Sequence, residues 1–256
     1  MTAAEWYAAR EPWGTTYEKL VGAILQHQPV TFTRWGNGEW KFIFWAAAEW
    51  EKKLVPGCRL GPNRHPSLKH VFMPELAQAL TAIIASNPTY RLGLQPLAMR
   101  AMGDVILEFL KSKNALELDW INADSVHRAS SKGVLDRLAA ALSTRKLLLI
   151  GPEYMGKLRE RLPIEAHVVV PPRDYFPVME RLIEEAIQSL AALGPDTVVM
   201  GSAGPPAKII LHRLHAHLEG KGTLIDTGSL WDPYVGNMNR SGSHLIRTEQ
   251  VPARQS

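Results

Sequence analysis

Three stretches of this chain combine glycines with charged or hydroxyl side chains in a pattern suited to holding phosphate. The first reads Thr31-Phe32-Thr33-Arg34-Trp35-Gly36-Asn37-Gly38-Glu39-Trp40. A strand-like run breaks into two glycines around Asn37 and then restarts as a helix. Glycines let the backbone come close to a ligand, and a fresh helix start presents N–H groups and a positive dipole end to phosphate oxygens. Gly36, Asn37 and Gly38 are therefore candidate nucleotide-binding residues. Arg34 offers a planar fork of donors matched to a diphosphate, and Glu39 is placed to take a metal ion or a sugar hydroxyl. An ordinary β-turn at Asn37-Gly38 with an acidic first helical turn would use the same residues.

The second stretch reads Gly201-Ser202-Ala203-Gly204-Pro205-Pro206-Ala207-Lys208 and the third Thr223-Leu224-Ile225-Asp226-Thr227-Gly228-Ser229-Leu230-Trp231-Asp232. A glycine turn with proline at the following helix start is another anion site, which makes Gly201, Ser202, Gly204 and Lys208 candidates beside Arg34. Asp226, at the end of an internal strand, is suited to accepting hydrogen bonds from a ribose or to orienting a backbone loop, and an Asx turn is the plainer use of it.

These stretches need a scaffold that brings them to one place. Helical spacing recurs at Tyr17 to Leu25, Leu68 to Ile84, Met99 to Leu110, Val134 to Leu142, Val178 to Leu193 and Ala207 to Leu218. Short apolar or β-branched runs lie between them at Val30 to Thr33, Tyr90 to Leu94, Leu116 to Ile121, Lys146 to Ile150, His167 to Val170, Thr197 to Met200 and Thr223 to Ile225. This alternation predicts an α/β fold of Rossmann-like type, a mostly parallel sheet with helices on both faces. Ligands of such sheets bind beyond the carboxyl ends of the strands, and the three glycine stretches all follow strands. A fourth loop, Pro171 to Phe176, carries Arg173 and Asp174.

The 256 residues, 46% hydrophobic and 21% charged, suit one domain over 1–256, with no linker or repeat. Trp6, Tyr7 and Trp13 predict that the first 14 or so residues pack on the domain. From about Thr248 the chain is polar and aperiodic, and residues 248–256 are expected to be mobile. The single Cys58 cannot form an internal disulfide, and no N-terminal secretion signal is visible, which fits a reducing, cytoplasmic setting. No apolar run approaches the roughly 18 residues that a membrane span needs. The formal charge of +4 favours anionic partners, and Lys52, Lys53, Arg59, Arg64, Lys69 and His70 form a local basic stretch.

The Arg-x-Gly-Asx-Gly-Glu loop after an early strand, with Gly-x-x-Ala-Lys on a later helix and Asp-x-Gly-Ser after the next strand, resembles the GT-D glycosyltransferases. The likeness runs from about Thr31 to Tyr234. It implies a Rossmann-like domain that binds a nucleotide-sugar, with a nucleoside diphosphate, expected to be UDP, as leaving group and a hydroxyl on a glycan or glycoprotein as acceptor. In that family the first motif normally reads Arg-x-Gly-Asp-Gly-Glu, whose Asp-x-Glu pair is associated with a divalent metal, manganese or magnesium. Here Asn37 replaces the Asp, so Glu39 and Asn37 would be a weakened pair of metal ligands. The resemblance further implies that Arg34 and Lys208 stabilise the leaving diphosphate. It leaves Glu39, Asp226 and Asp232 as candidates to take the acceptor proton, and spacing does not choose among them. Ser229 joins the nucleotide-binding candidates through the Asp-x-Gly-Ser match. The basic stretch keeps a second acceptor open, a hydroxymethylated base in DNA. A third reading is a nucleotide-binding protein in which Asn37 has ended turnover.

Other signals carry less. Gly151 to Leu158 nearly spells a P-loop, but Leu158 stands where magnesium needs a hydroxyl. His212, His215 and His217 cluster near a helix end, as cations favoured there would. Asn122, Asp124, His127 and Arg128 follow a strand and are candidates to face the acceptor. Trp35, Trp40 and Trp231, among eight tryptophans, adjoin the candidate site, where indoles either stack on sugar or fill the core. The Gly-x-Gly-x-x-Gly dinucleotide fingerprint and the nucleophile-elbow, zincin and Cys-x-x-Cys motifs are missing.

Overall fold

A computed structural model of the protein describes residues 1–51, 74–172, 175–238 and 248–253. Cys58, the basic stretch from Lys52 to His70, the start of the Leu68 to Ile84 helix, Arg173, Asp174 and the last three residues of the tail lie outside the described residues.

Seven strands form one sheet: β1 Val30–Trp35, β2 Arg91–Leu94, β3 Trp120–Asn122, β4 Lys146–Gly151, β5 Ile164–Val169, β6 Thr197–Gly201 and β7 Thr223–Asp226. Their order is β3-β2-β1-β7-β6-β4-β5, and each neighbouring pair runs parallel. The central strands read as unbroken apolar runs because both of their faces are covered. Leu147, Leu148, Leu149 and Ile150, for example, are all fully buried.

The helices are α1 Ala3–Ala8, α2 Trp13–Leu25, α3 Asn37–Glu51, α4 Pro74–Ala85, α5 Pro96–Ser112, α6 Ser125–Lys132, α7 Asp136–Ser143, α8 Met179–Leu193 and α9 Pro205–His217. One face of the sheet carries α3, α4, α5, α8 and α9 around one core, and the other carries α2, α6 and α7 around a second. Connections that step along the sheet in one direction use the first face, and those that step back use the second, as right-handed crossovers require.

The expected elements stand with shifted ends. β3 begins at Trp120 rather than Leu116, and β5 begins at Ile164 rather than His167. α6 is an addition: it is largely polar, buries only Ser125, Val126, Ala129 and Ser130, and ends on Gly133 in the left-handed region. The P-loop-like stretch is a 3-10 turn over Glu153–Glu160 whose Met155 and Leu158 fill the second core. In the N-terminal segment, Trp6 is buried and edge-on to Trp120.

Residues 248–253 make specific contacts with the domain. Gln250 accepts from the Leu135 N–H and donates to the Ser130 carbonyl, Arg161 holds the Val251 carbonyl, and Val251 is buried. A polar segment without periodicity is thus ordered by hydrogen bonds to the open ends of α6 and α7, which spacing does not reveal.

The loops above β1 and β7 part company. β1 runs into α3 on the first face, whereas β7 continues into Leu230, Trp231 and Tyr234 on the second. Adjacent strands whose chains leave to opposite faces open a crevice between them, the usual ligand site of an open α/β sheet.

Candidate active site

The crevice brings the separated glycine stretches together. Arg34 and Asp226 close neighbouring strands, and the Arg34 backbone N–H donates to Asp226 Oδ2 at 3.0 Å. The other oxygen, Oδ1, accepts from the Gly228 N–H at 3.0 Å, so Asp226 forms an Asx turn and ties the two loops. Gly228 has φ of +54°, and a Cβ there would stand 1.9 Å from Arg34 Nη1. Only glycine leaves the guanidinium room to lie across this turn. The Arg34 Nε donates to the Ala123 carbonyl at 2.8 Å and Nη2 to Asp124 Oδ1 at 3.1 Å. Three of its five N–H donors remain without a partner among the described residues.

Lys208 sits beneath this arrangement with its ammonium 2.8 Å from Glu39 Oε1, 2.8 Å from Asp226 Oδ2 and 3.1 Å from the Gly204 carbonyl. All three groups are buried: Lys208 is 3% exposed, Glu39 6% and Asp226 0%. An ammonium has three N–H donors, and here each has an acceptor. Burial on its own would drive the Glu39 carboxyl up, but the Lys208 charge and hydrogen bond, with the N–H groups of Glu39 and Gly36, hold it below its ordinary value. Burial would likewise lower Lys208, and the two carboxylates outweigh it and hold the ammonium above its ordinary value.

The loop of Arg34 is shaped from both sides. Glu39 Oε2 accepts from the Gly36 N–H at 2.9 Å, half of a capping box for α3. The Asn37 N–H donates to Gln95 Oε1 at 3.2 Å, and a Cβ at Gly36 would lie 2.8 Å from that same oxygen. Gly38, by contrast, has no atom within 4 Å of where a Cβ would stand, so the helix start is open there. Ser202 donates to the Gly228 carbonyl, and Thr227 donates to the Gly201 carbonyl from its N–H at 2.8 Å and its hydroxyl at 3.1 Å. Gly201 packs against Leu211 and Ala207 of α9. Gly204 and Ser229 lie half-buried in their turns. Asp232, 2% exposed, accepts from the Tyr154 hydroxyl at 2.9 Å, which links the loops after β4 and β7.

Several sequence expectations change here. Asp226 is fully buried with both oxygens engaged, so it orients the loops and offers no oxygen to a ribose or an acceptor. Lys208 neutralises carboxylates instead of presenting its donors to phosphate. The start of α9 is a poorer anion site than its glycine turn implied, because Pro205 and Pro206 carry no N–H and the Ala207 N–H goes to the Gly204 carbonyl. Trp35, Trp40 and Trp231 are fully buried: Trp35 donates to Thr33, Trp40 stacks on Phe44, and Trp231 meets Tyr234 edge-on. They are core, not stacking platforms. His212 and His215 pair with Tyr90 and with Thr31 and Thr89 at the opposite edge of the sheet.

Nor do these residues fit a divalent ion. One oxygen of Glu39 faces the Lys208 ammonium and the other a backbone N–H, while Asn37 contributes a neutral oxygen. Among the described residues no group of three His, Cys, Asp or Glu side chains converges. A metal at Glu39 would have to displace a buried ammonium that satisfies two carboxylates.

Sequence reasoning missed Gln95 and Tyr154. Gln95 ends the β2 turn as the N-cap of α5, marked by Pro96 at the first helical position, yet its side chain caps α3 instead. The strand-then-proline pattern locates that turn, though not the partner.

No family model matches the sequence, and no curated protein does. Solved structures share the fold. One, a selenomethionine-substituted domain of unknown function 1792, superposes with a TM-score of 0.55 at 14% identity, over 83% of this chain and 76% of that one. Another structure of the domain of unknown function 1792, described as having a distinct glycosyltransferase fold, gives a TM-score of 0.53 at 13% identity, over 85% of this chain and 82% of that one. The chain therefore has a Rossmann-like α/β fold of the kind seen in that glycosyltransferase-fold domain. No helix among the described residues is long and apolar enough to cross a membrane.

Proposed function

We propose that the protein is a glycosyltransferase that moves a sugar from a nucleoside diphosphate donor, a UDP-sugar in the first instance, to a hydroxyl acceptor. The observation that carries the reading is the junction of the Arg34 loop with the Asp226–Gly228 turn at the crevice between β1 and β7. There Arg34 keeps three donors unused among the described residues, beside the open start of α3.

In the step proposed, the bond from the anomeric carbon to the diphosphate oxygen breaks and a bond to the acceptor oxygen forms. The acceptor proton passes to a carboxylate, and the products are a glycoside and a nucleoside diphosphate. Charge building on the leaving diphosphate is met by the Arg34 guanidinium and the start of α3. Lys208 acts through its charge, with its donors held by Glu39 and Asp226. Glu39, kept below its ordinary pKa, is a weak base. Of the three candidate carboxylates, the proton-accepting role falls to Asp232, which the partly exposed Tyr154 links to the surface. The same grip of Lys208 on Glu39 leads us to expect donor binding without added metal.

The grip of Lys208 also favours a second reading, a nucleotide-binding protein without turnover. One experiment separates the two. Purified protein is incubated with a panel of UDP-sugars, with EDTA or with manganese, and bound ligand and released UDP are measured. A transferase binds a panel member and releases UDP slowly to water even without its acceptor. Binding without release supports the second reading, and neither binding nor release under both conditions removes the first.

A further inference from the structure

Asn37, through Oδ1, and His127, through both ring nitrogens, hold buried atoms without a hydrogen-bond partner among the described residues. They lie on different elements. Asn37 opens α3 after β1, and His127 stands in the first turn of α6 after β3. Arg34 joins them: it precedes Asn37 on one loop, and its guanidinium bonds Ala123 and Asp124 in the turn that leads to His127. Burial, with the Arg34 charge nearby, holds the His127 imidazole well below its ordinary pKa, so the ring is neutral at pH 7.

A neutral imidazole has one donor and one acceptor, and Asn37 Oδ1 is an acceptor. Phosphate oxygens are acceptors and would be repelled by two of these three atoms. A hydroxyl group both donates and accepts, and two neighbouring sugar hydroxyls, with two hydrogens to donate and oxygens to accept, match all three. Buried polar atoms are rarely left unpaired in folded proteins, because each forfeits its bonds to water. A ligand hydroxyl that restores those bonds therefore gains from groups the fold has already desolvated.

We propose that Asn37 and His127 form a neutral wall that binds the hydroxyl groups of a sugar, next to the diphosphate held at Arg34. This rests on the nucleotide-sugar reading and adds to it the place where the sugar is recognised.

The test compares UDP, UDP-glucose, UDP-galactose, UDP-N-acetylglucosamine and free glucose by calorimetric titration on the parent, His127→Phe and Asn37→Leu. The parent is expected to bind one UDP-sugar more tightly than UDP. In each variant the affinity for that UDP-sugar should fall about three- to tenfold further than the affinity for UDP, the size of one neutral hydrogen bond. His127→Gln, which keeps a donor and an acceptor, should recover part of the loss. If the larger ring of His127→Phe disturbs folding, Asn37→Leu carries the same comparison. Weak glucose binding that the variants abolish would support the wall and place it on the acceptor side. Equal losses for UDP and UDP-sugar, or a parent that does not favour a UDP-sugar over UDP, overturn this proposal and leave the transferase reading standing. A parent that binds no nucleotide overturns both.

Discussion

The two sides of the sheet edge treat their polar groups in opposite ways. Above β7 and β6 the charges are satisfied within the protein: Lys208 gives one donor each to Glu39, Asp226 and the Gly204 carbonyl, and Asp226 passes its remaining capacity to the Arg34 and Gly228 N–H groups. Above β1, β2 and β3 the groups are left incomplete among the described residues, with three idle donors on Arg34 and unpaired atoms on Asn37 and His127. A satisfied network fixes backbone and offers nothing to a ligand, whereas an incomplete one is stabilised when something completes it. One half of the edge thus sets the positions of the loops, and the other is the half that our proposal assigns to the ligand. The five charges involved, Arg34 and Lys208 against Glu39, Asp124 and Asp226, sum to one negative charge. In the reading proposed here, a diphosphate would therefore be held by direct donors and a helix start, not by net attraction.

The sharpest way to break this comparison is to remove the centre of the satisfied half. Lys208→Met leaves two buried carboxylates side by side without a cation, and a loss of about 3–5 kcal/mol is expected in urea unfolding at neutral pH. The pH dependence should change sign as well. In the parent, Glu39 is held below its ordinary 4.5, so its contribution is present above about pH 4.5 and is lost as pH falls through its folded value. Lys208 is held above its ordinary 10.5, so its contribution is present below that and is lost as pH rises through its folded value. Without the ammonium, burial, the largest influence on Glu39, is opposed only by the N–H groups of Glu39 and Gly36 and raises the carboxyl, so the deficit of the variant should shrink on acidification towards pH 4. A deficit under 1 kcal/mol, or one that grows on acidification, would show that the triad does not hold the edge together.

A smaller change probes the seam between the halves. Gly228→Ala puts a Cβ where Arg34 Nη1 now lies and forces a left-handed backbone on a residue that resists it by about 1–2 kcal/mol. The guanidinium must move away from the crevice, so UDP affinity should fall at least tenfold while stability falls by only that backbone strain, measured by titration and by urea unfolding. Unchanged UDP affinity would mean that Arg34 is not the group that receives the diphosphate.

The distribution of these roles was legible in the sequence only in part. The seven strands announced themselves because parallel strands are buried on both faces, and loops rich in glycine after three of them located the edge. α6 escaped because one narrow stripe, Val126 and Ala129 with Ser130, gives eight residues no clear period. Arg34, Asn37 and His127 were visible as polar residues after strands, but whether a polar group is satisfied depends on a partner far along the chain. Lys208 stands 169 residues from Glu39 in sequence and meets it only through the order β1-β7-β6. The tryptophans illustrate the reverse: Trp35 neighbours Arg34 in sequence, yet strand alternation places its indole with Thr33, inside the core.

The mildest substitution tests the far end of the satisfied half. Tyr154, at the surface after β4, donates to Asp232 after β7 and so spans the loops beyond the Lys208 network. In Tyr154→Phe the ring stays and a single hydroxyl goes, so stability should fall by about 0.5–1.5 kcal/mol, the ordinary net value of one hydrogen bond. If Asp232 belongs with the structural groups, UDP release from a UDP-sugar should follow that small loss and no more. If it receives the acceptor proton, losing the Tyr154 hydroxyl that holds it should lower UDP release by more than that small loss, without a matching change in UDP affinity. A larger loss of UDP release would therefore support the proton-accepting role proposed for Asp232, and a loss no greater than that of stability would assign it to the positioning half of the edge instead.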